Sequence, residues 1–296
     1  MLRAKGEIIR FATRDGFLLD GFLMRSRRRD ACAVYVHGMT GNFYGGDLPF
    51  AMASRLNGKG IALFTINTRG HDIISSAYRT QAKIRRSRAK RLTLGTSLER
   101  FEDCVLDIGG AIRELQKLGY KRFILAGHST GCQKVAYYQY KKGDRRIKGL
   151  ILLAPASDYE ANKKMLGKRF NTVVKMCKKL VQLKKGRSFK RVPLGFSAKR
   201  FLSVADLKNV EARLFNYNGP LKEICQVRAP VLALFGSADP LAPKPTKRYM
   251  ELLKTRRGIN PFQYALIKDA KHNFGRRSDD AAKIASEWAA KELGKA

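Results

Sequence analysis

The sequence predicts an α/β fold, a mainly parallel sheet covered by helices on both faces. Three observations carry that expectation. Short, largely apolar runs recur at 31–36, 61–66, 123–126, 149–153, 231–235 and 262–267, the pattern of strands buried on both sides. Segments with helical spacing stand between most of them. Finally, the run Phe123–Ala126 breaks abruptly into Gly127-His128-Ser129-Thr130-Gly131 ahead of a segment free of Gly and Pro. That order of strand, glycine-bracketed turn and helix gives a G-x-S-x-G match its meaning.

Taken in order, residues 6–12 and 17–24 flank Thr13-Arg14-Asp15-Gly16, and Asp-Gly between apolar runs signals a hairpin. The strand at 31–36 leads into His37-Gly38-Met39. A helix is expected over 49–56 and a strand over 61–66. Residues 79–91 hold seven basic residues (Arg79, Lys83, Arg85, Arg86, Arg88, Lys90, Arg91), no acid and no apolar period, so they read as an exposed loop. Thr96 and Glu99 have the spacing of a capping box and are expected to open a helix. Its buried stripe would be Leu98, Phe101, Val105, Ile108, Ile112 and Leu115. A helix follows Ser129, and the strand at 149–153 closes at Ala154-Pro155.

More than 70 residues then pass without a clear strand. Within them Leu166, Phe170, Val173, Val174, Cys177, Leu180 and Val181 form an apolar stripe at helical period. Fifteen Lys and Arg stand against one acid, Asp206, between 161 and 210. This segment reads as packed helices with a solvated basic face rather than as a membrane-surface helix. The alternation resumes with a strand at 231–235, a helix near 246–253, a strand at 262–267 and a helix over 278–293.

The 296 residues suffice for one large core or two small ones. No run approaches the apolar length of a membrane-spanning helix, and residues 1–16 lack the apolar core of a signal peptide. The five cysteines are scattered without C-x-x-C spacing and read as reduced core residues of a cytoplasmic protein. With four histidines, none at ligand spacing, no metal site is expected. Nor is a cofactor. The net charge of +36 suggests a nucleic-acid partner. Yet the basic residues are spread along the chain without an RNP, zinc-finger or KH signature, so no specific nucleic-acid partner is expected.

The chemistry centres on Ser129. A serine hydroxyl is a weak nucleophile that needs a base, an acid to orient the base, and an oxyanion site. His37 and His71 belong to turns after earlier strands, and His128 neighbours the serine within a strained turn. His272, in the loop after the last strand, is left as the base. Asp239, just beyond a strand end, is the preferred acid, with Asp269 as competitor three residues from His272. The oxyanion donors are expected to be the N–H groups of Thr130 and Met39, with His37, Gly38, Gly127 and Gly131 supporting the two turns.

Together these four features resemble the α/β-hydrolase superfamily, and within it the lipase/esterase and serine aminopeptidase-like branch that includes monoacylglycerol lipases. The resemblance covers nearly the whole chain. It implies an eight-stranded sheet with an antiparallel second strand, a hydrolase core at 1–155 and 227–296, and a helical cap at 156–226. The implied activity is cleavage of a small-molecule carboxylic ester, anionic esters among the candidates and thioesters or amides as variants, through an acyl-enzyme on Ser129. A competing reading is a catalytically idle scaffold whose basic surface binds RNA or anionic lipid. Segment 79–91 lies outside the family pattern, and the cap carries no substrate motif.

Overall fold

The computed structural model describes residues 4–80, 90–258 and 260–294. It opens with β1 (Glu7–Ala12) and β2 (Leu18–Met24), an antiparallel hairpin whose turn is closed by Thr13 N donating to Phe17 O at 2.8 Å. Then come β3 (Ala31–Val36), α1 (Leu48–Asn57), β4 (Ala62–Ile66), β5 (Ser75–Arg79), β6 (Lys90–Leu94), α2 (Cys104–Lys117), β7 (Arg122–His128), α3 (Thr130–Lys142) and β8 (Ile147–Leu153). Five helices follow: α4 (Asp158–Leu166), α5 (Phe170–Gln182), α6 (Ala198–Ala205), α7 (Val210–Leu214) and α8 (Lys222–Cys225). The chain ends with β9 (Val231–Gly236), α9 (Thr246–Arg257), β10 (Phe262–Ile267) and α10 (Ser278–Gly294).

Eight strands form one sheet in the order β1-β2-β4-β3-β7-β8-β9-β10. The second strand runs antiparallel to both neighbours, and the pairs from β4 to β10 are parallel. Successive residues of the central strands enter opposite cores. Val34, Leu125 and Leu152 pack with Phe101, Ile108 and Val135 on one face. Ala33, Ile124 and Ile151 pack with Met52, Ala285 and Trp288 on the other. Two covered faces explain why these strands are apolar throughout. Among the described residues no helix is long and apolar enough to cross a membrane.

The helices between β8 and β9 hold a third core, built on Phe170, Val173, Cys177, Phe196, Phe201 and Val204, with Met39 packed against it. Serine N-caps open two of them. Ser157 accepts from Glu160 N at 3.2 Å and Ser197 from Arg200 N at 3.3 Å. The expected stripe of α5 is buried at its start and runs out at Val181, which is 38% exposed.

Two expectations fail. Residues 79–91 are not simply a loop, because Arg79 ends β5 and Lys90 and Arg91 begin β6, which pair antiparallel. Ala77 and the partly buried Leu92 and Leu94 anchor this hairpin on the core, too few apolar positions to show in the sequence. Lys83, Arg85, Arg86 and Arg88 lie outside the described residues. Nor do Thr96 and Glu99 cap a helix, since α2 begins at Cys104 after a short 3-10 turn. Thr96 Oγ1 instead donates to Gly70 O at 2.6 Å. Glu99 is drawn inward by a buried lysine, whose Nζ (Lys134) lies 2.7 Å away.

Candidate active site

Ser129 is the N-cap of α3, with φ 52° and ψ −123°, a conformation that side chains rarely adopt and that surrounding packing must hold in place. Its N–H donates to Leu153 O at 2.9 Å, and its carbonyl accepts from Cys132 N at 2.8 Å. The turn is tight enough that glycine is required beside it. A Cβ on Gly131 would lie 2.2 Å from Val36 O, and one on Gly127 would lie 2.3 Å from Gly131 O. Gly38 approaches from the other side, where a Cβ would sit 3.0 Å from that of Ser129.

The ends of β7, β9 and β10 bring three distant residues together. His272 Nε2 lies 2.8 Å from Ser129 Oγ, and His272 Nδ1 lies 2.8 Å from Asp239 Oδ2. A carboxylate only accepts, so Nδ1 carries the proton and Nε2 is left to accept from the serine hydroxyl. Asp239 is fully buried, and its other oxygen accepts from Leu241 N at 2.8 Å. Asp269 stands apart, largely exposed and facing Arg277 at 3.9 Å.

Both neighbouring histidines are structural. His37 Nδ1 donates to Gly38 O at 2.8 Å, and Nε2 accepts from Thr68 N at 3.2 Å. Burial holds its pKa well below the usual histidine range. His128 turns its Nε2 to the His272 loop, donating to His272 O at 3.0 Å. Burial lowers its pKa to about 4, so it braces the His272 loop as a neutral ring. Met39 and Thr130 flank Ser129, and neither N–H has a hydrogen-bond partner among the described residues. A cavity of about 380 Å³ opens over Ser129, lined by His37, Gly38, Met39, His272 and Asn273.

Sequence reasoning missed a buried charged cluster under this site. Glu99 faces Lys134, and Arg200 lies 3.6 Å from Glu99 and pairs through both terminal nitrogens with Glu211. Asp158 adjoins it, accepting from Gln133 Nε2 at 3.0 Å and Thr130 Oγ1 at 3.4 Å. Burial first, then the negative charge of Glu211, raises its pKa to about 7. The one sequence signal was Gln133 and Lys134 standing between the apolar Cys132 and Val135-Ala136 near the start of α3.

A family model described as "Protein of unknown function (DUF1749)" matches residues 95–293. No curated protein matches the sequence. Among solved structures, Est1E from Butyrivibrio proteoclasticus with ferulic acid bound is 15% identical, covering 96% of this chain and 99% of that one, with a TM-score of 0.63. A monoacylglycerol lipase from Paleococcus ferrophilus is 21% identical over 93% and 99% of the two chains, with a TM-score of 0.62. The siderophore hydrolase EstB from Aspergillus fumigatus is 16% identical over 99% and 98%, with a TM-score of 0.65. At these identities the likeness is one of fold, and that fold is the α/β-hydrolase fold.

Proposed function

The chain belongs to the DUF1749 family, and we propose that it is a serine hydrolase that cleaves a small carboxylic ester. The observation that supports this best is the relay Ser129 Oγ–His272 Nε2–Asp239, with 2.8 Å at each link. His272 takes the proton as Ser129 Oγ attacks the ester carbonyl. The tetrahedral oxyanion is held by the N–H groups of Met39 and Thr130, which have no other partner among the described residues. His272 then returns the proton to the departing alcohol, leaving an acyl group on Ser129. Water, activated by the same imidazole, attacks the acyl carbonyl and releases the acid. Asp239 keeps its charge throughout and fixes the Nδ1–H tautomer.

Ester is the preferred bond because an alcohol leaves with less assistance than an amine, and the ferulic-acid-bound structural neighbour fits a small ester. Helices α4–α6, within the proposed cap 156–226, would set the acyl or alcohol preference, since their core reaches Met39. A fluorophosphonate probe tests the reading. It should label the native chain and leave Ser129→Ala unlabelled, with turnover of p-nitrophenyl esters reduced about 10³-fold or more. Asp239→Asn should cripple turnover and Asp269→Asn should not. Absence of labelling in the folded native protein would favour the idle scaffold.

A further inference from the structure

We propose that the cavity between α2, the end of α3 and the turn after β1 binds a small phosphate-bearing molecule. It lies away from the Ser129 crevice. Helix α3 starts at the Ser129 turn, and its thirteen residues carry the chain about 20 Å to the cavity's edge. The cavity measures about 460 Å³, within the range of small-molecule sites. Four cations line it, Arg14, Arg113, Lys142 and Arg146, against one acid, Asp144.

That acid is already engaged. Asp144 Oδ1 accepts from Arg146 Nε at 2.8 Å and from Arg146 N at 3.1 Å, and Oδ2 accepts from Tyr138 OH at 2.8 Å and Arg146 Nη2 at 2.5 Å. Arg146 Nη1 bonds Gln116, so this guanidinium is fixed in place. Arg113, half-buried beside it, donates to Ala12 O at 3.1 Å. Among the described residues none of Arg14, Arg113 and Lys142 has a carboxylate within ion-pair distance. Burial, and then the charge of Arg14, hold the Arg113 pKa below the ordinary arginine value. A half-buried guanidinium repelled by Arg14 and Arg146 is what a bound anion relieves.

Several arginines elsewhere on the surface, among them Arg10, Arg25 and Arg55, are instead paired with carboxylates. Here Arg14, Arg113 and Lys142, none with a carboxylate partner among the described residues, border one concavity beside the fixed Arg146, and guanidinium groups suit phosphate oxygens taken two at a time. A polymer backbone would need a continuous track of cations, whereas this site is a pocket walled by buried Tyr138.

Isothermal titration of the whole protein with pyrophosphate and with ATP, at physiological salt, tests the site. Saturable binding at one site per chain is expected. Arg113→Gln and Arg14→Gln should each weaken it about 10- to 100-fold, as loss of a charge-assisted hydrogen bond does. Lys283→Gln with Lys291→Gln removes two charges from the exposed side of α10 and should change it less than about 2-fold. Circular dichroism checks that the variants fold, and Arg14→Gln, on an exposed turn, serves if Arg113→Gln does not. Equal weakening by the α10 variant, or no saturable binding, overturns the proposal. So does binding of a ribo-oligonucleotide without binding of pyrophosphate.

Discussion

Replacing Glu211 with Gln removes one negative charge from the cluster that joins α6 and α7 to the core. The Arg200 and Glu211 side chains are both 0% exposed, and Glu211 also accepts from Ser203 Oγ at 2.6 Å. With Asp158 protonated, Glu99, Lys134, Arg200 and Glu211 sum to zero charge. The substitution therefore leaves a buried guanidinium with one carboxylate, Glu99, at 3.6 Å. Orphaning one partner of a buried pair costs about 3–5 kcal/mol. The lower end is expected, because Asp158 sits close enough to ionise once Glu211 no longer opposes it. For a chain of this size about 3 kcal/mol corresponds to a fall of roughly 5 °C in Tm. Exchanging Arg200 for Met in the same chain removes the stranded charge and should restore stability to within about 1 kcal/mol of native. Thermal and urea denaturation of the two single variants and the double variant gives the coupling directly. A loss below about 1 kcal/mol for Glu211→Gln, or strict additivity in the double variant, would refute this account.

Asp158 gives a pH signature. Its folded pKa is raised to about 7 while the unfolded chain ionises near the ordinary 3.8. The folded state thus holds the extra proton between those values, and the stability it contributes falls as pH rises through that window. Asp158→Asn mimics the protonated form, so its Tm advantage over native should be larger at pH 7 than at pH 5; the opposite order sinks the assignment. Gly131→Ala places a methyl 2.2 Å from Val36 O, and a loss of at least about 3 kcal/mol with loss of probe labelling is expected. For an ester bearing a carboxylate or phosphate, kcat/KM should decline between low and physiological salt more steeply than for a neutral ester. Lys175→Gln with Lys179→Gln should flatten that slope, and equal native slopes for both esters would remove any role for this charge. Lys178 is left unchanged in that test because it pairs with Asp206 at 2.9 Å.

The central strands of the sheet were legible because burial on two faces writes itself as continuous apolar runs. Ser129 stood out through its glycine brackets, and His272 and Asp239 through their places just past strand ends. These are local marks of a nonlocal site. Glu99 shows the converse. Three residues after Thr96 it has the spacing of a cap, and nothing nearby in sequence announces Lys134 or Arg200, which reach it from α3 and α6. In a chain with sixty basic residues, the few that are buried carry no compositional mark. The β5–β6 hairpin was hidden for a different reason, since it leans on the core through only a few side chains.

The third core has a consequence for reshaping the molecule. The Ser129 turn leaves no room for side chains at Gly127 and Gly131, so for the proposed hydrolase new substrate preferences are more accessible through α4–α6, whose apolar residues pack mainly with one another. Such a segment can be exchanged as a block, but not at arbitrary seams. Arg200 donates to Thr96 O at 3.0 Å and faces Glu99, while its own counter-charge, Glu211, travels on α7. A donor segment that brought its own helices without both members of that pair would strand Glu99 and Lys134 beneath a foreign roof. Grafts cut after Leu214 keep the pair together. Cuts between α6 and α7 divide it, and a library built there would be screening for folding before it ever reached catalysis.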